Sequence, residues 1–250
     1  MKAKDKEALS IMKHVVNLRY PLALTVILIL MVVTPIAFIL QKPKFNSEDI
    51  SLMNFKGLLN LSTNVYFLHV QFGSVDYESA QELAHALANY FLIQYEYEPG
   101  DSFVDSNGYP RLEAIAKGDF IVLVGGPCAH ACVKFYEDTK QAPLIQKWTD
   151  AYIWFETRDG KIVNETFVTR SDLNEYHDMF IIEFFRDNDG RNVLIYYGHN
   201  WQGTLAAGRY FSQVMYPRIS DYNRSYYIFD WVDSNDDTLP DVGEVIGKAS

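Results

Sequence analysis

Five oxygen-bearing side chains near the C-terminus have the spacing of a divalent-cation loop. Asp233, Asn235 and Asp237 fill positions 1, 3 and 5 of a D-x-N-x-D run, with Asp241 at position 9 and Glu244 at position 12. Ca²⁺ takes roughly six to eight oxygens, and this alternation turns carboxylates toward a common point. These five residues are the candidate metal ligands and Ca²⁺ the candidate ion. Thr238 stands where the sharp turn normally takes Gly, and a β-branched residue resists that backbone. A solvated acidic turn is the competing reading.

A second group is Cys128, His130 and Cys132, just after Gly125-Gly126-Pro127. A thiol near a helix N-terminus titrates low, which suits a nucleophile paired with a histidine such as His130 or His199. The competing reading is two small apolar side chains facing a core. The glycine turn lacks the third glycine of a dinucleotide fingerprint and the Lys-Ser/Thr of a P-loop. Asp187 and Asp189 have the look of a glycosidase pair, but their D-N-D-G context is turn chemistry. Gly198 to Gly208 (GHNWQGTLAAG) reads as a strand end turning into a helix whose small residues let it approach a sheet, with Thr204 as its cap.

The elements that must position these groups alternate. Val65–Phe72 reads as a strand, Tyr77–Leu92 as an amphipathic helix, and Gln94–Glu98 as a short strand. Arg111–Ala116 reads as a short helix, and Asp119–Val124 (DFIVLV) as a buried parallel strand. A helix is predicted over Cys128–Asp138, and hairpins over 152–169 around Asp159-Gly160 and over 180–197 around 187–190. A helix over Trp201–Tyr216 and a strand over Tyr226–Trp231 close the chain. The expected fold is a single mixed-sheet α/β domain with β-hairpins, preceded by one N-terminal transmembrane helix.

That helix rests on Leu22–Leu40, nineteen residues without a charge. At about 1.5 Å per residue it nearly spans a bilayer core of about 30 Å. It is longer than the apolar core of a cleaved signal peptide and ends without small residues, so it reads as an uncleaved anchor. Net charge is −10, from 22 Lys and Arg against 32 Asp and Glu. Residues 1–44 hold seven of the cations and two of the anions, a net of +5, so the rest carries −15. Cations ahead of the helix stay inside. The expected order is a cytoplasmic basic segment (1–20), a signal-anchor helix in the lipid bilayer (21–41), a tether with a short helix (42–61) and an extracellular domain (62–250). The acidic body argues against nucleic acid as a partner. Asn60, Asn164 and Asn223 head N-x-S/T triplets, which become candidate glycosylation sites on an exported domain.

Three of these segments occur together in a known order. IVLVGGP entering a helix resembles a segment of archaeal surface-layer (S-layer) proteins. NVLIYYGHNWQGTLAAGRYF resembles their strand, G-x-x-x-x-GT-x-AA, helix segment, and YYIFDWVDSNDDTLPDVGEVI resembles their closing strand and acidic loop. The likeness covers about residues 119–250. It implies an extracellular, often glycosylated protein with a structural or interaction role, partnered with cell-surface or S-layer proteins or with itself, and without catalysis. It makes Gly125, Gly126, Gly203 and Thr204 fold-determining. Such subunits are usually much longer, and their GGP helix is not associated with cysteines. Two alternatives stand beside it. One is an anchored extracytoplasmic hydrolase using Cys128. The other is a carbohydrate-binding surface module using exposed aromatics such as Trp201 and Trp231.

Overall fold

The computed structural model describes residues 50–71, 73–88, 94–106 and 110–249, within one compact unit spanning Phe45–Ser250. The expected basic segment and anchor helix, residues 1–41, lie outside the described residues. Among those described, no helix is long and apolar enough to cross a membrane.

In chain order the strands are β1 (Asn64–His69), β2 (Gln94–Pro99), β3 (Phe120–Val124), β4 (Leu144–Trp148), β5 (Tyr152–Thr157), β6 (Val168–Thr169), β7 (His177–Arg186), β8 (Asn192–Gly198), β9 (Tyr226–Val232) and β10 (Val245–Ala249). The helices are α1 (Phe55–Leu59), α2 (Val75–Ala88), α3 (Ala131–Asp138) and α4 (Trp201–Tyr210). The main sheet has seven strands in the order β10-β9-β7-β8-β3-β1-β2. Its β2-β1-β3-β8 half is parallel. Its β8-β7-β9-β10 half is antiparallel. The domain is therefore mixed α/β, as its alternation of elements implies.

A second, three-stranded sheet, β4-β5-β6, departs from the single sheet expected. The Asp159-Gly160 turn closes a hairpin as its residues dictate, with Gly160 at φ +84. Its return arm is interrupted by a 3₁₀ turn at Asn164–Thr166, so β5 pairs mainly with β4 instead. Nothing in the local pattern of Leu144–Trp148 (LIQKW) marks it as a strand. Its N–H groups find acceptors only in the tertiary fold.

Helices cover one face of the main sheet, and α3 with the small sheet covers the other. Phe120, Val122 and Val124 of β3 enter the first core with α2 and α4, while Ile121 and Leu123 enter the second with Tyr136 and Leu144. Both faces are dry, so β3 and β8 read as unbroken apolar runs. The turn between β7 and β8 is fastened by Asp187. Its Oδ1 accepts from Asp189 N and Arg191 N, and its Oδ2 accepts from Arg191 Nε at 2.7 Å and from the Tyr136 hydroxyl at 2.9 Å. Hairpin chemistry accounts for this acidic pair.

Residues 50–61, read from sequence as the end of a tether, are built into the domain. Leu52 N and Met53 N donate to Arg224 O and Tyr222 O. Leu52, Phe55 and Leu59 are fully buried. The Phe55 ring meets Phe120, Phe184 and Phe211 edge-on at 5.1–5.4 Å between centroids. Phe55→Ala is expected to lower unfolding free energy by ~3–5 kcal/mol, the range for a truncated buried ring. Chemical denaturation reads this directly, and a loss under ~1 kcal/mol would mean the segment is only draped on the core.

Candidate functional site

Ligand sites of open α/β sheets form beyond the carboxyl ends of parallel strands, where the chain leaves adjacent strands in opposite directions. Here that point lies between β1 and β3. From β1 the chain crosses over α2 to β2 on one flank, while β3 adds to the other flank and continues into α3. The two helices belong to opposite faces. A cleft of about 360 Å³ opens there, within the roughly 300–1,000 Å³ range of small-ligand sites.

Each wall is supplied by a strand end. Asp76 comes from the first turn of α2, Cys128 from the loop after β3, and His199, Asn200 and Trp201 from the turn after β8. Trp148 at the end of β4 and Arg170 after β6 complete it from the small sheet. Burial pushes the Asp76 carboxyl up to about 6. Burial and then the Arg170 charge hold the His199 imidazole below its ordinary value.

The β3 turn needs Gly125 twice over. It sits at φ +115, and a Cβ there would lie 2.7 Å from Val70 Cγ2. The β8 turn is shaped by an acid that sequence reading passed over. Asp178 on β7 is fully buried, and its Oδ2 accepts from Asn200 N and Gly203 N, both at 2.8 Å. A Cβ on Gly203 would strike this oxygen and lie 2.8 Å from Gly198 Cα. Thr204 Oγ1 accepts from Gly198 N at 3.0 Å. Gly125, Gly203 and Thr204 thus have concrete structural duties.

Of the two histidines offered as partners for Cys128, one shares its cleft and the other does not. Cys128 is exposed and shares the cleft with His199. Cys132 is buried. His130 is also buried, its Nε2 at 3.0 Å from Leu68 O and its ring against Gly100, so it does not face Cys128's cleft. Trp201 is 43% exposed, whereas Trp231, expected at the surface, is fully buried. Its apolar strand neighbours carry it into the core, and its Nε1 donates to Glu244 Oε2 at 3.0 Å.

The acidic loop closes on its own backbone. Asp233 Oδ1 accepts from Asn235 N, Asn235 Oδ1 from Asp237 N, and Asp237 Oδ1 from Leu239 N, a ladder of Asx turns at 2.8–3.1 Å. Thr238 does take the left-handed backbone, at φ +59, and its N–H donates to Asp233 Oδ2. Asp241 and Glu244 form a reciprocal capping box. Glu244 also accepts from Ser234 N and Oγ. Burial would raise its carboxyl, but hydrogen bonds from Ser234, Trp231 and Asp241 outweigh burial and hold it below its ordinary value. Among the described residues, no three or more His, Cys, Asp or Glu are grouped to hold a metal ion.

Asp76, Asp178, Trp148 and Arg170 were missed in the sequence. Asp178 and Glu183 had a signal: each is a lone acid inside the apolar run DMFIIEFF, and such a group is kept only for a polar duty. Glu183 is fully buried, and its Oε2 accepts from Leu144 N at 2.9 Å. Glu137 lies beside it, accepting from the Tyr197 hydroxyl at 2.7 Å and Gln146 N at 3.0 Å. Burial pushes Glu137 up to about 7, and burial with the nearby Glu137 charge pushes Glu183 well up.

A carboxyl whose folded pKa is raised stabilises the fold fully below its unfolded value and loses that contribution as pH rises through the folded one. Glu137, raised from 4.5 to about 7, therefore costs on the order of 2–4 kcal/mol by pH 8 relative to pH 4. Glu137→Gln should flatten the fall in urea midpoint between pH 5 and pH 8, and an unchanged slope would refute the assignment. Calorimetry at millimolar Ca²⁺ tests the loop. Heat that disappears in Asp237→Ala would place an ion there, and no heat would leave the Asx ladder as the role of these residues.

Neither the family models nor the curated proteins with which the chain was compared match it.

Proposed function

We propose that this chain is a single-pass membrane protein, N-terminus in the cytoplasm, that displays an S-layer-like α/β domain outside the cell in a structural and interaction role. The observation that carries the interaction role is an aromatic strip on the outward face of the small sheet. Tyr152 and Phe167, 42% and 47% exposed, stack at 5.1 Å, and Trp154 packs on Phe167 at 5.4 Å. Lys147 and Glu156 share this face, Glu156 accepting from Trp154 Nε1 at 3.0 Å, and clustered exposed rings mark surfaces that become covered. The partner is another surface protein or a second copy of this chain.

Three further facts support this reading. The apolar run at 22–40 and the +5/−15 division of charge describe an anchored, exported body. Asn60, Asn164 and Asn223 are all exposed. The glycines and Thr204 of the S-layer-like segments occupy positions where the fold needs them.

A second reading, an extracytoplasmic hydrolase, is favoured by one observation: Cys128 and His199 line the same cleft. In it Cys128 Sγ would attack an ester or amide carbonyl carbon, His199 taking the thiol proton and passing it to the alcohol or amine that leaves as the C–O or C–N bond breaks, and water would then cleave the thioester to give the acid and restore the thiol.

Protease added to intact cells should remove the body and spare a short anchored fragment; a fully protected chain would overturn the topology. Cross-linking on those cells should trap an oligomer or a defined surface complex. The double variant Tyr152→Ser, Phe167→Ser should lose it at unchanged thermal stability. For the hydrolase reading, a thiol probe that labels Cys128 well below pH 8 would support it, and an inert thiol would count against it.

A further inference from the structure

The strand-end cleft carries a combination of side chains that the interaction role does not use. Its apolar walls are two half-exposed indoles, Trp148 at 48% and Trp201 at 43%. Large rings left this open at the rim of a concave site lie ready to be covered by a flat apolar face. Between them stand planar, hydrogen-bonding groups: the Asp76 carboxylate, the Arg170 guanidinium and the carboxamides of Gln146 and Asn200. Each can engage two neighbouring hydroxyls at once, a carboxylate as acceptor, a guanidinium as donor and a carboxamide as both.

Charge narrows the ligand class. One carboxylate and one guanidinium balance. A phosphate or nucleotide site would want a surplus of cations or a nest of backbone N–H groups, and a cationic ligand would want more than one acid. His199, held below its ordinary value by burial and Arg170, adds no positive charge near neutral pH. What suits two indoles and a balanced set of planar polar groups is an uncharged ring with apolar C–H faces and a hydroxylated rim.

We infer that the cleft beyond β1, β3 and β8 binds a neutral saccharide, one sugar ring resting on Trp148 or Trp201 with its hydroxyls held by Asp76, Arg170, Gln146 and Asn200. A second groove of about 470 Å³ shares Cys128, Gln146 and Trp148 with the cleft, which gives room for a further unit of an oligosaccharide. This deepens the interaction role proposed above, and rests on it only for the source of the ligand, since surface glycans are met outside the cell. The aromatic strip and the cleft use opposite faces of β4 and β5: Ile153, which lines the cleft, pairs with Trp148, whereas Trp154 pairs with Lys147. The two sites can therefore be disabled separately.

The test uses the full chain, purified in a detergent without a sugar headgroup. Calorimetry and tryptophan fluorescence are read against neutral mono- and disaccharides, with glucuronate and inorganic phosphate alongside. At least one neutral sugar should bind. At least one of Trp148→Ala and Trp201→Ala should weaken it about tenfold or more, with Phe at that position restoring most of the loss, and Tyr176→Ser, an exposed ring that lines neither groove, should leave affinity within about twofold. Thermal melting checks that each variant folds. The inference is overturned if no neutral sugar binds at tens of millimolar, if phosphate or glucuronate binds better, or if folded indole variants bind unchanged. A fully protected body on intact cells would overturn the topology without touching this binding result, and a body cleaved outside the cell that binds no sugar would overturn the inference alone.

Discussion

Asp178 is a carboxylate on β7 that reaches across to the neighbouring β8–α4 turn and binds its N–H groups. Burying such a group costs several kcal/mol unless its oxygens are well met. Here Asn200 N and Gly203 N meet one oxygen and Met179 N meets the other. The contact leaves no volume for a side chain at 203, and the resulting approach of α4 leaves none at Gly198. Thr204 then closes the turn by accepting from Gly198 N. His199, Asn200 and Trp201 are placed on the cleft by Asp178 and Gly203, which do not line it, and by Gly198 and Thr204, which do.

How much of this was readable in the chain differs by element. The five-residue apolar run of β3 and the D-N-D-G turn between β7 and β8 are local statements, and both hold. The Trp201–Tyr216 helix holds over its first turns and then loosens into a wider turn at Phe211–Met215, where the side chains of Phe211, Met215 and Tyr216 all enter one core. Residues 50–61 looked like tether because five residues of helix show almost no periodicity. Their membership is decided by four aromatic rings from distant segments. The cleft was the least readable part. Its walls come from α2, the β3 loop, the small sheet and the β8 turn, and no spacing within any of these announces the others.

The acidic loop shows why one sequence pattern supports two readings. Carboxylates at alternate positions aim their oxygens inward in an ion-binding loop. The same alternation lets each oxygen reach the N–H two residues on, which is the Asx turn. In this structure Asp233, Asn235 and Asp237 do the second. Glu244, which would be the closing ligand, instead spans Trp231 and Ser234 and ties the loop to β9.

The buried glutamates tie the small sheet to the cleft. β4 is an edge strand of the three-stranded sheet, and an uncovered edge leaves alternate N–H groups without acceptors. Leu144 N is met by Glu183 from β7 and Gln146 N by Glu137 from α3. The strand has a side-chain period of two, so the next residue on that face is Trp148, on the cleft wall. Two carboxyls thus fasten the strand that carries an indole to the cleft. Both are pushed up by burial, so ionising them loads charge into the contact that seats β4. The two glutamates and the strand that carries Trp148 meet in two N–H groups of β4, so the charge state of this contact bears on how that strand is seated.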